Sequence, residues 1–325
     1  MADYVMTLRA LSNGAFGETP GPTVYLKLQD TDQAPFPPQQ AIDADDWVRD
    51  ILQTVPKKRD GTGASRGDVL VFIHGYNNAM DAVLERHRLL KKNLAHYGFA
   101  GTVISFDWPC DDVALAYLAD RQQAKQTAYA LVTDGIKRVA KMQAMLDCDI
   151  NVHLLAHSTG AYVVREAFDD ADEHRDINGI GWTVSQIAFI SGDISAGSMA
   201  SGNPETESIY GHCLRLTNYS NGHDDVLQLS NVKRVGFSPR VGRVGLPDSA
   251  PAVGLNVDCS AYYDAYYAGR GGLIAGITLS HGWQFDDMVF AFDLAQTLKG
   301  DSDRGVISTR ATAAPNRYVL RWPPP

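Results

Sequence analysis

The chain has 325 residues, 45% of them hydrophobic and 21% charged, which is enough to build a large core and excludes a disordered, low-complexity protein. Its formal net charge is -9 and no run of Lys or Arg interrupts the acidic balance, so a nucleic-acid or membrane-surface partner is not expected. Met1-Ala2-Asp3-Tyr4 lacks the basic start and apolar core of an export signal, and no uncharged apolar stretch approaches the roughly 20 residues needed to cross a bilayer. Cys110, Cys148, Cys213 and Cys259 are widely separated, without a Cys-x-x-Cys pair, so the expectation is four reduced thiols in a cytoplasmic protein.

Two strands open the chain. Tyr4, Met6 and Leu8 alternate with polar neighbours, as do Val24, Leu26 and Leu28. Ser12-Asn13-Gly14 and Gly17-Glu18-Thr19-Pro20-Gly21 supply turn chemistry between them, so an antiparallel hairpin is predicted. Pro35, Pro37 and Pro38 impose a loop. A short helix follows, with Trp47, Val48, Ile51 and Leu52 on one face and acids at its start.

From residue 69 the pattern changes. Val69–Ile73, Val103–Phe106, Val152–Leu155 and Ile187–Ile190 are short apolar runs suited to parallel strands covered on both faces. Between them lies helical spacing, with Ala128, Val132, Ile136, Val139 and Ala140 forming one stripe. Leu214–Tyr219 reads as a further strand. A last helix is expected from about Gln284, with Phe285, Met288, Val289 and Phe292 inward and a stop at Lys299-Gly300. The strand–helix alternation predicts a doubly wound, mostly parallel α/β sheet with an antiparallel N-terminal hairpin, in a single domain over 1–325 without an internal repeat.

The chemistry concentrates at strand ends. Strand 152–155 runs into Ala156-His157-Ser158-Thr159-Gly160 and then a helical segment. This is a G-x-S-x-G nucleophile elbow with alanine at the first glycine: a strained turn holds the serine hydroxyl above the sheet, and its flanks must be small. The bland alternative is a serine that only caps the helix. Strand 69–73 ends in His74-Gly75-Tyr76-Asn77-Asn78. Acyl transfer needs two amides aimed at the oxyanion, and the elbow geometry offers those of Thr159 and Tyr76. His74 reads as a buried histidine tying that loop down, and its spacing from His157 suggests no metal site.

A triad in the order Ser, acid, His then needs a histidine and a carboxylate. His281, in Ser280-His281-Gly282-Trp283 before the last helix, is best placed; His223 competes, while His174 and His212 lie in an acidic stretch and at a strand start. For the acid, Asp224 in the loop after strand 214–219 is preferred, and Asp193 in Ser191-Gly192-Asp193 is the alternative; either could instead be a turn-former.

These residues resemble a bacterial α/β-hydrolase family of unknown function, related to lipases and esterases, over roughly residues 66 to 300. The resemblance is carried by Val71-Phe72-Ile73-His74-Gly75-Tyr76-Asn77, Phe106-Asp107-Trp108-Pro109, the elbow, Gly192-Asp193-Ile194, His223-Asp224-Asp225-Val226-Leu227 and Ser280-His281-Gly282. In that family the elbow usually reads Ala-His-Ser-Met-Gly, which makes Ala156 a family trait and Thr159 the departure. Its acid loop commonly reads Asn-Asp-x-Ala-Leu; aligning the leucine with Leu227 places the acid at Asp224. The resemblance implies an α/β-hydrolase fold with Ser158 and His281 as nucleophile and base.

The function expected is hydrolysis of a small-molecule carboxylic ester through an acyl-enzyme, without metal or organic cofactor. The same machinery would serve a thioesterase, lactonase or amidase, and a catalytically silent binding scaffold is the rival from another class. Segments 194–212 and 236–272, the latter with Tyr262, Tyr263, Tyr266 and Tyr267, are candidate lid or rim segments. Asp111, Asp112 and the Tyr117/Arg121 helix face are further candidates for the cleft border.

Overall fold

The computed structural model describes residues 2–59, 65–76, 79–110, 117–143, 149–179, 181–232, 238–274 and 277–322, with backbone alone at 59, 65, 117–123, 139, 142–143 and 230–232. The N-terminal alternation becomes β1 (Asp3–Ser12) and β2 (Ala15–Leu28), joined through Asn13 and Gly14, whose φ values of 52° and 77° match the turn that twisted hairpins favour. Gly17–Gly21 is not a second turn. It lies inside β2, where its irregular residues are absorbed as register shifts between Thr7 and Arg9 and between Arg9 and Leu11. A short strand, β3 (Ala41–Ile42), pairs with β2. The helix Ala44–Thr54 then starts on Asp43, whose side chain accepts the amides of Asp45 and Asp46, and it buries Trp47 and Ile51.

The strands β4 (Lys57–Arg59), β5 (Ser65–Ile73), β6 (Thr102–Asp107), β7 (Ile150–His157), β8 (Val184–Ile190), β9 (Cys213–Ser220) and β10 (Gly254–Asp258) follow. Beyond a two-stranded ribbon of β11 (Leu273–Ile274) and β12 (Ile277–Thr278) come β13 (Arg310–Ala314) and β14 (Arg317–Leu320). The large sheet has the order β13-β14-β10-β9-β8-β7-β5-β6-β1-β2-β3, with β4 on the start of β5. From β14 to β1 every neighbouring pair is parallel; β2, β3, β4 and β13 are antiparallel to their partners. The expected α/β architecture with its N-terminal hairpin is therefore present. A second hairpin closes the opposite edge.

Both faces of the sheet are covered, so the inner strands carry apolar side chains on both sides. Val69, Ile104, Leu154 and Phe189 join one core with the helices Ala44–Thr54 and Thr159–Glu173, whereas Leu70, Phe72, Val103 and Leu155 join another with Met80–His96 and Met288–Lys299. In the stripe of 128–140, Ala128, Val132, Ile136 and Ala140 are buried, while the Val139 side chain lies outside the described residues. A π-helical turn, Leu131–Ile136, interrupts that helical stretch.

The last helix differs from expectation in phase. It starts at Met288, capped by Asp287, and buries Phe290, Ala291, Leu294, Ala295 and Leu298; Met288 is exposed. The separate turn Trp283–Phe285 resets the helical register before Asp287, so of the expected stripe Phe285 is buried, Val289 and Phe292 are half-buried, and Met288 faces out. That helix also anchors the C-terminal hairpin. Buried Arg310 pairs with buried Asp293 at 2.6 Å, and Tyr219 and Thr309 donate to the same carboxylate at 2.7 Å.

Neither candidate lid segment is simply loop. Segment 194–212 holds the helix Pro204–Gly211, with buried Ile209 facing the core. Segment 236–272 supplies β10, which lies between β14 and β9 in the parallel array, and the helix Ser260–Tyr267, whose Tyr262 and Tyr263 are buried. Five residues of β10 are too few to show a period. Among the described residues no helix is long and apolar enough to cross a membrane.

Candidate active site

β6 lies on one side of β5 and β7 on the other, so the chain reverses its winding between β5 and β7. The loops leaving these two strands part toward opposite faces, and such a switch point is where doubly wound sheets open a crevice. The loop after β5 carries Gly75 and Tyr76. The turn after β7 carries Ser158.

Ser158 occupies the position before the helix Thr159–Glu173 with φ 55° and ψ -125°, and its side chain does not cap that helix. A capping serine would have extended backbone and bond an amide of the first turn. The observed left-handed geometry is instead the strained elbow, held by Ser158 N–H on the Ile190 carbonyl at 3.1 Å and by Asp193 N–H on the Ser158 carbonyl at 2.9 Å. The demand for small flanks is visible. A Cβ on Gly160 would stand 2.4 Å from the Ile73 carbonyl oxygen, and one on Gly75 would stand 2.5 Å from Ser158 Cβ. The Gly75-Tyr76 loop thus abuts the serine, with Tyr76 half-buried beside it. Asn77, Asn78, Asp111 and Asp112 lie outside the described residues, as do the side chains of Tyr117 and Arg121.

His281 and Asp224 are both buried and meet directly, His281 Nδ1 to Asp224 Oδ2 at 2.8 Å. A carboxylate there holds the proton on Nδ1 and leaves Nε2 as the basic nitrogen. The other carboxylate oxygen, Oδ1, accepts the Leu227 amide at 3.0 Å. Arg243 donates to the Asp224 carbonyl at 2.7 Å, and Asn221 Nδ2 donates to the Ser280 carbonyl at 3.2 Å, tying acid loop to histidine loop. Asp193 is also buried, but its carboxylate faces the buried Arg240 guanidinium at 3.0 Å. His223 is exposed, its ring stacked on Tyr263 at 5.8 Å. His212 bonds the Trp182 carbonyl and Asp172.

The residue before Ser158 touches the histidine of this pair. The ring of His157 lies 4.7 Å from that of His281, centroid to centroid, and its Nε2 is 3.1 Å from the His281 carbonyl. Among the described residues no hydrogen bond joins Ser158 Oγ to His281; in a resting site such a bond is often long and tightens with substrate.

Beneath the loop after β5 sits a buried polar cluster. His74 Nδ1 is 2.7 Å from the Gly75 carbonyl, and its Nε2 is 3.1 Å from the Trp108 amide. Burial holds the ring's pKa below its usual value, so it is neutral. The amide can only donate and the carbonyl only accept, so the proton resides on Nδ1. The 3.2 Å approach of Nε2 to Asp107 Oδ1 is then a contact rather than a hydrogen bond. Burial would raise the Asp107 carboxyl, yet the Arg9 guanidinium, its Nε at 2.9 Å, helps hold it below the usual range, and Thr7 Oγ1 donates a hydrogen bond to it at 2.6 Å. His74 thereby fixes the carbonyl of Gly75 and the start of the Trp108 loop.

Among the described residues no three His, Cys, Asp or Glu side chains are grouped to hold a metal ion. The apolar cavity between the sheet and the helix Ala44–Thr54, lined by Trp47, Ile51, Val71, Phe106, Leu131 and Leu154 among others, contains none of the site residues. It is a gap in the core, and the switch-point crevice is the better guide to chemistry. Sequence reasoning missed Arg243, Asn221 and Ser191; only His157 carried a signal, through its place in the elbow.

A mostly parallel, doubly wound sheet with a serine on a left-handed turn between strand and helix is the architecture of the α/β-hydrolases. The chain belongs to the family described as "Alpha/beta hydrolase of unknown function (DUF900)", whose model matches residues 53–250. His281 lies beyond the matched segment, so its place rests on geometry. No curated protein matches the chain. Among solved structures it is similar to a cutinase-like protein from Cryptococcus sp., at 14% identity and TM-score 0.35, covering 73% of this chain and 96% of that one. It is also similar to the lin2722 gene product of Listeria innocua, at 7% identity and TM-score 0.40, covering 78% and 98%. A third is phospholipase PlaB from Legionella pneumophila in complex with thio-NAD, at 15% identity and TM-score 0.27, covering 68% and 44%.

Proposed function

We propose that this chain is a serine hydrolase that cleaves small-molecule carboxylic esters through an acyl-enzyme. The observation that carries the reading is the buried 2.8 Å contact of His281 Nδ1 with Asp224, at the same sheet end as the left-handed turn of Ser158. His281 Nε2 takes the proton of the Ser158 hydroxyl as the oxygen attacks the ester carbonyl. Asp224 holds the ring's tautomer and balances the imidazolium that forms. The amides of Thr159 and Tyr76 receive the oxyanion, and the start of the helix Thr159–Glu173 adds its dipole. The imidazolium then gives its proton to the departing alcohol, and water repeats the sequence to release the acid. Cys213 and Cys259 are buried thiols outside any disulfide among the described residues, which supports work in a reducing compartment such as the cytoplasm.

A fluorophosphonate probe tests the reading. It should label the wild-type protein and not Ser158→Ala, and both should unfold at similar temperatures. A folded wild type that takes no label points to the silent scaffold. Parallel assays on p-nitrophenyl esters, thioesters and anilides rank the acyl classes; faster thioester or anilide turnover would displace the ester.

A further inference from the structure

We infer that His157 is a positioning residue: together with Ser191 it grips the main-chain carbonyl of His281 and so sets where the His281 ring stands against Ser158. The inference rests on the serine-hydrolase reading above.

Two donors converge on one oxygen. His157 Nε2 and Ser191 Oγ each lie 3.1 Å from the His281 carbonyl, and Gln284 Nε2 supports the Ser191 hydroxyl at 3.2 Å. All four side chains are buried. His157 ends β7 and Ser191 follows β8, so the grip joins the ends of two adjacent parallel strands to the loop carrying the base. Ser191 takes a left-handed φ of 48°, a strained conformation for a residue with a side chain, next to the left-handed Ser158. Phe285 closes the far side of the His157 ring at 5.2 Å.

A carbonyl can only accept, so His157 must carry its proton on Nε2. Its Nδ1 is then a bare nitrogen in a buried setting, without a hydrogen-bond partner among the described residues. Burial, then the adjacent His281 and Arg86 of the helix Met80–His96, push the His157 pKa well below its ordinary value; His74 after β5 acts in the same direction. The ring therefore stays neutral. That matters for the chemistry, because a second imidazolium 4.7 Å away would oppose protonation of His281. His157 thus donates a hydrogen bond without adding charge.

The test compares His157→Leu with His157→Gln, whose amide nitrogen can replace the Nε2 donor, on p-nitrophenyl butyrate. His157→Leu should lower kcat by about 10- to 100-fold with KM changed less than about threefold, and His157→Gln should return to within about fivefold of wild type. A His157→Leu protein as fast as wild type, or a His157→Gln protein as slow as His157→Leu, overturns the inference. Should His157→Leu fail to fold, ¹⁵N-histidine NMR of the wild type decides: His157 should keep its proton on Nε2 and show no titration between about pH 5 and 9. Titration in that window, or a proton on Nδ1, overturns it. An inert, unlabelled wild type removes the hydrolase reading and this inference together, whereas an active wild type matched by His157→Leu removes this inference alone.

Discussion

The loops after β8 and β9 each carry a buried aspartate, Asp193 and Asp224, at the same end of neighbouring parallel strands. By residue type, burial and place in the fold the two are nearly interchangeable. Their partners separate them: Asp224 meets a histidine that can gain and lose a proton, whereas Asp193 meets Arg240, which cannot. In the proposed reaction the first arrangement serves chemistry. The second serves architecture, since Asp193 also donates its amide to the Ser158 carbonyl and Arg240 opens the short helix Val241–Val244, whose Gly242 carbonyl accepts the Asn221 amide. A carboxylate's role is set by what its neighbour can do with a proton.

The comparison breaks first at Asp224. Asp224→Asn should lower kcat by about 10⁴-fold while the protein remains folded, because the amide no longer enforces the tautomer with Nε2 free. A loss under tenfold, measured on the same ester, would shift attention back to Asp193. The reciprocal change should move a different quantity. Asp193→Asn removes the charge facing a buried guanidinium and should cost about 3–5 kcal/mol in a urea titration, with turnover by the folded fraction within about tenfold of wild type. Replacing both ends of the pair, Asp193→Leu with Arg240→Met, should recover much of that stability. If Asp193→Asn kept its stability and lost its turnover, the two aspartates would have to exchange roles.

A third loop sharpens the contrast, because the proposed reaction asks only backbone of the one after β5. Gly75→Ala would bring a methyl to 2.5 Å from Ser158 Cβ and 3.0 Å from the His157 carbonyl oxygen, neither of which is the end of a flexible side chain. Loop and elbow must separate, so activity should fall about 100-fold with a smaller change in thermal stability. Unchanged kinetics would mean that Tyr76 and Ser158 need not be so close for the reaction.

The parts legible in the sequence were those whose signal is local. The elbow turn and the apolar strands from β5 to β9 each occupy under ten consecutive residues, and strand period and turn chemistry decide them. The N-terminal hairpin was legible as two strands, but Gly17–Gly21 read as a turn because local composition cannot reveal that β1 will hold those residues in a shifted ladder. β10 and the C-terminal hairpin were not legible. Their five- and four-residue strands gain their place from neighbours such as β9 and from the Arg310–Asp293 pair. In the sequence only loop position and the family resemblance separate Asp224 from Asp193, since Arg240, the partner that distinguishes Asp193, is far along the chain and no spacing rule connects the two.

Thr159 supplies the finest test of the distinction between side chain and backbone. It is the first residue of the helix after the elbow, it is half-buried, and the proposed reaction asks only for its amide. The resembled family usually carries methionine at this position, so a long apolar side chain is compatible with the elbow. Thr159→Met should therefore keep kcat within about threefold of wild type on a short-chain ester, because the oxyanion still meets the same N–H. Any change should fall on KM across an acyl-length series, where the longer side chain borders the bound acid. A loss of kcat beyond about tenfold on the shortest ester would assign the threonine hydroxyl a part in oxyanion binding, and the site would then draw on a side chain where the fold offered an amide.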